Sequence, residues 1–179
     1  KYNKNLKIKF FKSGVKVFDW KIPKEWKIKQ AFILTPENKK ICDFKENNLH
    51  LMGYSKKIRK KLSLNELQKN LFSLKNIPNA IPYITSYYKK NWGFCLTHYE
   101  RKKLKKGIYK VLIDAEFKKG AMYYGEIFIK GKLKKEILFS TYICHPSMAN
   151  NELSGPALAI SLSKFLEKKK TEIQLQNNI

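Results

Sequence analysis

Three residues near the carboxyl end of the sequence have the side chains best suited to metal chemistry: His145, Asn151 and Glu152. A neutral imidazole with oxygen donors six and seven positions further on suits zinc, which takes nitrogen and carboxylate ligands in a tetrahedral shell. A histidine that only forms a hydrogen bond at the end of a strand explains the same spacing equally well. The residue types alone therefore leave a zinc ligand and a structural histidine as two open interpretations.

The residues around this group predict a strand, a loop and a helix. The run Ile137–Ile143 is nearly all apolar, β-branched or aromatic, which is typical of a strand covered on both faces in a parallel sheet. Pro156 opens an apolar-periodic segment and predicts a helix that begins there, with Ser154 or Gly155 as its cap. Because ligands of open α/β sheets collect beyond the carboxyl ends of strands, His145 and its loop are well placed for a site.

The segment CHPSMANNELSG (Cys144–Gly155), with the strand before it and the helix after it, resembles a bacterial aminopeptidase-like family often found among polysaccharide-biosynthesis genes. That family is a distant branch of the co-catalytic zinc aminopeptidases. Further segments carry the resemblance through most of the chain: DWKIPKEW (19–26), NNLHLMGYS (47–55), IPYITSYYKKNWGFC (81–95) and YGEIFIKG (124–131).

The resemblance implies a zinc site and an α/β fold. His145 matches the histidine ligand of the wider clan, and Asn151 falls where that clan has an aspartate that bridges two zinc ions. Glu152 is the carboxylate that could take over from this aspartate. Cys144 is expected to point to the opposite face of the strand and not to share the metal. The general base and the remaining ligands are expected beyond residue 179.

Two functions remain open. In the first, the chain belongs to a metallohydrolase that acts on a peptide or an aminoacyl or amino-sugar substrate, and this chain alone is inactive because its site is incomplete. In the second, the fold is a non-catalytic binding module in surface-polysaccharide biosynthesis. The neutral Asn151 at the bridging position is the feature that separates the two, since an aspartate there would favour catalysis.

The order of predicted elements indicates two domains. Residues 1–95 are predicted to form a β-rich module with one helix, Ser63–Leu74, which begins with a capping box of Ser63 and Glu66. Residues 96–179 are predicted to begin an aminopeptidase-like α/β sheet. This second part starts with an antiparallel hairpin of Tyr109–Asp114 and Met122–Ile129. The predicted fold class is therefore α/β, with a small β-rich module packed on it.

An aromatic segment, Ile77–Cys95, could line a pocket in the first half of the chain. Tyr87 and Trp92 are the predicted contacts to a peptide or amino-sugar ligand. An aromatic core beneath an irregular loop is the other interpretation of the same residues. His50, between two leucines, is predicted to be a structural histidine.

Composition narrows the possible partners and compartment. The formal net charge is +24, but the cations are nearly all lysines scattered along the chain, so no specific nucleic-acid partner is predicted. The uncharged apolar window around Ile137–Ile143 is too short to span a bilayer, so no membrane insertion is predicted. Three cysteines without a CxxC pair indicate reduced thiols in a cytoplasmic protein. The oligomeric state is not predicted.

The two ends of the chain are expected to be those of a fragment. The sequence begins with Lys1, and an α/β domain would need a further strand after the last predicted helix. A frameshift at the lysine run Lys168–Lys170 is the favoured explanation for the ending.

Overall fold

The computed structural model describes residues 3–131, 135–143, 145 and 147–176. Within these ranges the helices are α1 (Leu64–Gln68), α2 (His98–Lys102) and α3 (Asn150–Gln176). The strands are β1 (Lys7–Lys12), β2 (Lys16–Val17), β3 (Trp20–Lys21), β4 (Glu25–Leu34), β5 (Lys40–Ile41), β6 (Ile58–Ser63), β7 (Leu71–Phe72), β8 (Phe94–Cys95), β9 (Ile108–Lys118) and β10 (Ala121–Glu126). The architecture is mixed α/β, with small sheets and few helices.

A four-stranded antiparallel sheet in the order β5-β4-β9-β6 forms the centre of the molecule. In β9, every second residue from Tyr109 to Ala115 is buried, as expected for a strand with one covered face. Ile113 pairs with Ala31 in β4, and both are fully buried. Because β9 joins strands that precede residue 95, the central sheet crosses the predicted domain boundary.

Helix α1 shows what local sequence signals can and cannot specify. The capping box is confirmed: Ser63 accepts the N–H of Glu66, and Glu66 accepts the N–H of Ser63. The predicted continuation to Leu74 is wrong, because the helix ends at Gln68. The chain then turns at Asn70, and Leu71 pairs with Phe94 in the parallel pair β7-β8.

The predicted hairpin of β9 and β10 is also wrong, although both strands exist. After β9, the chain leaves the central sheet at Lys119 and Gly120, and β10 pairs with β1 instead. Two aromatic cross-strand pairs stabilise this separate ribbon, Phe10–Tyr123 and Phe11–Tyr124, with ring centroids 5.7 and 5.5 Å apart.

The predicted buried strand Ile137–Ile143 is absent from the described structure. These residues have no regular secondary structure, and Ile137, Leu138 and Ile143 are 83%, 87% and 75% exposed. A strand is stable only when its backbone is paired, and no strand is paired with this segment among the described residues.

Helix α3 begins before the predicted start at Pro156. The N–H groups of Asn151 and Glu152 bond to the carbonyls of Met148 and Ala149, so the helical turn starts in the predicted loop. Pro156 lies inside the helix, and neither Ser154 nor Gly155 is its cap. Within the described ranges, neither α3 nor either shorter helix combines the length and apolar character that crossing a membrane requires.

Candidate functional site

A hydrogen bond between His145 and Glu152 is the centre of the candidate site. Nδ1 of His145 lies 2.6 Å from Oε1 of Glu152. The first turn of α3 supplies Glu152, which is only 6% exposed, and the loop before this helix supplies His145. The early start of α3 is therefore what brings the two side chains together.

These two residues form part of the wall of a pocket of about 760 Å³. The other lining residues are a mixture of apolar and small side chains from the same segment: Ile143, Ser147, Met148, Ala149 and Leu153. This volume is within the range of cavities that bind small organic ligands. The pocket therefore combines an apolar wall with one polar pair.

Two loops of the first half of the chain hold the histidine loop in place. The Tyr83 ring contacts the His145 ring edge-on, with centroids 4.6 Å apart, and the Tyr142 ring is also edge-on to it, with centroids 6.2 Å apart. The Ser147 hydroxyl donates to the side-chain oxygen of Asn48 at 2.7 Å. Sequence reasoning missed Tyr83 and Asn48 as site residues, because they lie far from His145 along the chain. It missed Ser147 because the partner of its hydroxyl is the distant Asn48.

The backbone of the histidine loop is unusual. Ser147 and Ala149 both have positive φ angles, 62° and 46°. Residues other than glycine seldom adopt this left-handed conformation, and it costs free energy that surrounding contacts must offset. The Ser147–Asn48 hydrogen bond and the helical turn from Ala149 supply such contacts.

The predicted zinc ligands are brought together only in part. His145 and Glu152 are adjacent, whereas Asn151 is exposed and does not line the pocket. The described part of the chain contains no group of three or more histidine, cysteine or acidic side chains that could hold a metal ion. Cys144 lies outside the described residues. The described residues alone therefore supply fewer than the four ligands of a tetrahedral zinc shell.

Tyr87 and Trp92, the two predicted ligand contacts, have different environments. Trp92 is 8% exposed and belongs to the central core, so its ring is not available to a ligand. Tyr87 is half-buried, lies edge-on to the exposed Tyr88 and packs edge-on against Tyr54, with centroids 4.8 Å apart. Burial, with the neighbouring Tyr54 and Tyr88, raises the pKa of Tyr87. Neither residue lines the pocket at His145.

His50 has a structural role, as predicted. It ends a short 3-10 turn, Asn48–His50, and its Nδ1 lies 2.8 Å from the carbonyl oxygen of Cys95. This bond ties the turn that carries Asn48 to the core strand β8. His50 therefore supports the candidate site only through the backbone.

A protein-family model described as "Domain of unknown function (DUF2172)" matches residues 25–116, just over half of the chain. The chain belongs to this family. The DUF2172 match begins at the first residue of β4 and ends inside β9, so it covers the central sheet and the loops that carry Asn48 and Tyr83. His145 and Glu152 lie outside it.

A curated protein of Clostridium acetobutylicum is 48% identical over 93% of the chain and is named "Putative polysaccharide biosynthesis protein with aminopeptidase-like domain". A crystal structure of a "putative peptidase" from the same organism superposes with a TM-score of 0.83, at 48% identity over 91% of the chain. The chain spans 38% of the first protein and 39% of the second. The chain therefore aligns over more than nine-tenths of its length with longer proteins whose names call them peptidase-like.

Proposed function

We propose that this chain is part of an aminopeptidase-like hydrolase, and that His145 and Glu152 act on a peptide or an aminoacyl or amino-sugar substrate. One observation carries the proposal: a buried carboxylate is paired with an imidazole at the wall of a pocket. Such pairs position a histidine for proton transfer or metal binding in hydrolases. The names of the relatives support a peptidase-like function only in general terms.

The pair gives each residue a distinct role. An ionised Glu152 has no proton to donate, so Nδ1 of His145 carries the proton and donates it. Nε2 then keeps its lone pair and can accept a proton from water. Glu152 is in this arrangement a positioning residue, which fixes the tautomer and the orientation of His145.

The direct test of this pair is to measure the tautomer of His145. Long-range ¹H–¹⁵N NMR of the full 179-residue chain resolves the ring nitrogens of its three histidines. At pH 8 we expect a protonated Nδ1 and an unprotonated Nε2 in His145. Glu152→Leu, which has no acceptor for the Nδ1 proton, should remove this preference, while the signals of His50 stay unchanged. An Nε2-protonated His145 in the wild-type chain would contradict the assigned roles.

Zinc is a separate part of the proposal, because the described residues supply at most two donors. Zinc binding at His145 would need further donors from outside the described residues. If they are present, one equivalent of zinc should shift the His145 Nε2 signal. His145→Ala is the test variant, and His98→Ala is a matched control, because His98 bonds to Ser73 away from the pocket. Equal zinc retention by both variants would remove His145 from the list of zinc ligands.

The binding function is the second candidate, and the aromatic surface around Tyr54 favours it. The Tyr54 ring stacks on Trp26 and contacts Tyr87, and the neighbouring Tyr88 is 85% exposed. Aromatic faces of this kind bind the apolar faces of sugar rings. Tyr54 also has a φ of 60°, a strained conformation for a large side chain.

One pair of titrations separates the two candidates. A dipeptide amide should shift the amide signals of Ser147 and Leu153 if the pocket binds a hydrolase substrate. N-acetylglucosamine should instead shift those of Tyr87 and Tyr88 if the chain is a sugar-binding module. If the dipeptide amide shifts no signal of the pocket, the hydrolase proposal fails.

A further inference from the structure

A second cavity of about 350 Å³ lies at the turn of Ser13 and Gly14 and the segment from Lys21 to Lys24. Its lining residues are distant in sequence from His145. Its lining contains three lysines: Lys21, Lys24 and Lys119. The remaining lining residues come from two adjoining turns: Ser13, Gly14, Ile22 and Pro23. Ile22 is only 2% exposed and is the buried residue of this lining.

The lysines of this cavity are not held in ion pairs. Among the described residues, Lys21, Lys24 and Lys119 are in no salt bridge. Glu25, which follows Lys24 in the sequence, lies against Gly120, accepts the N–H of Ala121 at 3.1 Å and contacts Lys27 at 4.0 Å. Three lysine side chains therefore line one concave surface, and with Glu25 as the one carboxylate beside Gly120 among the described contacts, they keep the local potential positive.

Backbone hydrogen bonds hold the frame of the cavity. The N–H of Gly14 donates to the carbonyl of Ile22 at 2.8 Å, and the N–H of Ser13 donates to the carbonyl of Gly120 at 2.9 Å. Gly14 has a φ of 96°, which glycine adopts without strain. The N–H of Gly120 donates to the Ser13 hydroxyl oxygen at 3.1 Å, so the proton of this hydroxyl can point to a ligand.

We propose that this cavity, named here the lysine cavity (Ser13, Gly14, Lys21, Ile22, Pro23, Lys24 and Lys119), binds a small anion that carries a phosphate or a carboxylate group. Ammonium groups bind both groups through charge-assisted hydrogen bonds. The volume is at the lower end of ligand pockets, which favours a small metabolite over a polymer. The site is independent of the chemistry proposed at His145.

The test is a titration of the full chain with inorganic phosphate, and separately with malonate, at constant ionic strength. The amide signals of Gly14, Ile22 and Gly120 should shift and saturate, with a dissociation constant on the order of 1 mM, because exposed ion pairs are individually weak. Tighter binding of phosphate assigns a phosphorylated ligand, and tighter binding of malonate assigns a carboxylate.

Charge-matched variants distinguish the cavity from the general basicity of a chain with a net charge of +24. The triple variant K21Q/K24Q/K119Q should weaken binding about 10-fold or more. A control with the same loss of charge, K60Q/K90Q/K106Q, replaces exposed lysines elsewhere and should change binding by less than about 2-fold.

A variant that keeps the three positive charges of the cavity is the last control. The variant K21R/K24R/K119R should still bind phosphate, which a loss of folding would not permit. Lys24→Gln alone is the fallback if the glutamine triple variant does not fold, with an expected weakening of about 3-fold. Equal weakening by the cavity and control triples, or shifts spread over the whole surface, would overturn the proposal.

Discussion

The central sheet and the C-terminal segment, which begins at residue 135, bury different kinds of residues. In the sheet, the buried side chains are apolar, and Ile113 and Ile33 are 0% exposed. In the described part of residues 135–169, the buried side chains are the polar Glu152 and Ser163, while Ile137 and Leu138 are more than 80% exposed. The sheet therefore has its own apolar core, and the C-terminal segment does not contribute to it.

Polar contacts connect the C-terminal segment to the rest of the molecule. Asn3 donates to the Ser163 hydroxyl at 2.9 Å, Asn5 donates to Glu167 at 2.7 Å, and Ser147 donates to Asn48. Each such bond contributes about 0.5–1.5 kcal/mol, much less than a buried aliphatic side chain contributes. The candidate site lies at this junction between the C-terminal segment and the rest of the molecule, and it depends on such individually weak polar contacts.

Amide hydrogen exchange should show the largest difference between the two regions. Amides at the centre of β9 should exchange only through global unfolding, whereas those of residues 137–143 have no regular secondary structure. We expect protection to differ at least about 10³-fold between Ile113 and Ile137. Similar protection of the two residues would mean that the segment has an ordered partner and that the comparison is wrong.

A matched pair of isoleucine truncations should give the next largest effect. Ile113→Ala leaves a cavity in the core and should lower the free energy of unfolding by about 3 kcal/mol. Ile137→Ala removes an exposed side chain and should change it by less than about 0.5 kcal/mol. Urea denaturation followed by tryptophan fluorescence measures both. A loss above 1 kcal/mol in Ile137→Ala would show that this residue is covered.

The difference between the two regions also explains which features the sequence predicts. Alternation in β9 and the capping box at Ser63 are local signals, and both are confirmed. The pairing of β10 with β1 and the end of α1 depend on partners distant in the chain, which local pattern does not identify. The pattern of Ile137–Ile143 indicates a strand, but a strand requires paired neighbours, and the described structure pairs none with it.

The candidate site was predictable to a similar extent. The sequence identified His145 and Glu152 by residue type, and the structure brings them together. It could not identify Tyr83 or Asn48, because these residues reach His145 and Ser147 only through the packing of two loops. Asn151 is adjacent to Glu152 in sequence, but successive helical residues point in different directions, and Asn151 is exposed.

Two serine substitutions should distinguish the global stability of the chain from the local stability of the junction. Ser63→Ala removes the cap of α1 and should lower the free energy of unfolding by about 1 kcal/mol. Ser147→Ala removes the bond to Asn48 and should leave global unfolding unchanged, while it speeds amide exchange at residues 147–153. Urea denaturation and hydrogen exchange measure the two effects. A lower global stability in Ser147→Ala would mean that the junction unfolds together with the sheet.

Low pH should lower the free energy of unfolding by protonating Asp43 in the sheet region. This is expected to be the smallest of the predicted effects on stability. Burial opposes ionisation of Asp43, but the Lys45 N–H and the Lys40 ammonium, at 3.0 and 3.2 Å, outweigh it and lower its pKa. A lowered pKa in the folded state stabilises the fold above the unfolded pKa near 4, and this contribution is lost as pH falls through the folded value. The slope of stability between pH 4 and pH 2 should therefore be shallower in Asp43→Asn.

Asp19→Asn is the control for this substitution, because Asp19 is exposed and in no salt bridge among the described residues. Removal of its carboxylate changes the net charge by the same amount without affecting the loop after β5. If both variants flatten the pH dependence equally, the cause is the high net charge of the chain. If only Asp43→Asn flattens the pH dependence, the acid sensitivity comes from the loop that connects β5 to the turn at Asn48. Because Asn48 accepts the hydrogen bond of Ser147, loosening of this loop at low pH should also loosen the candidate site.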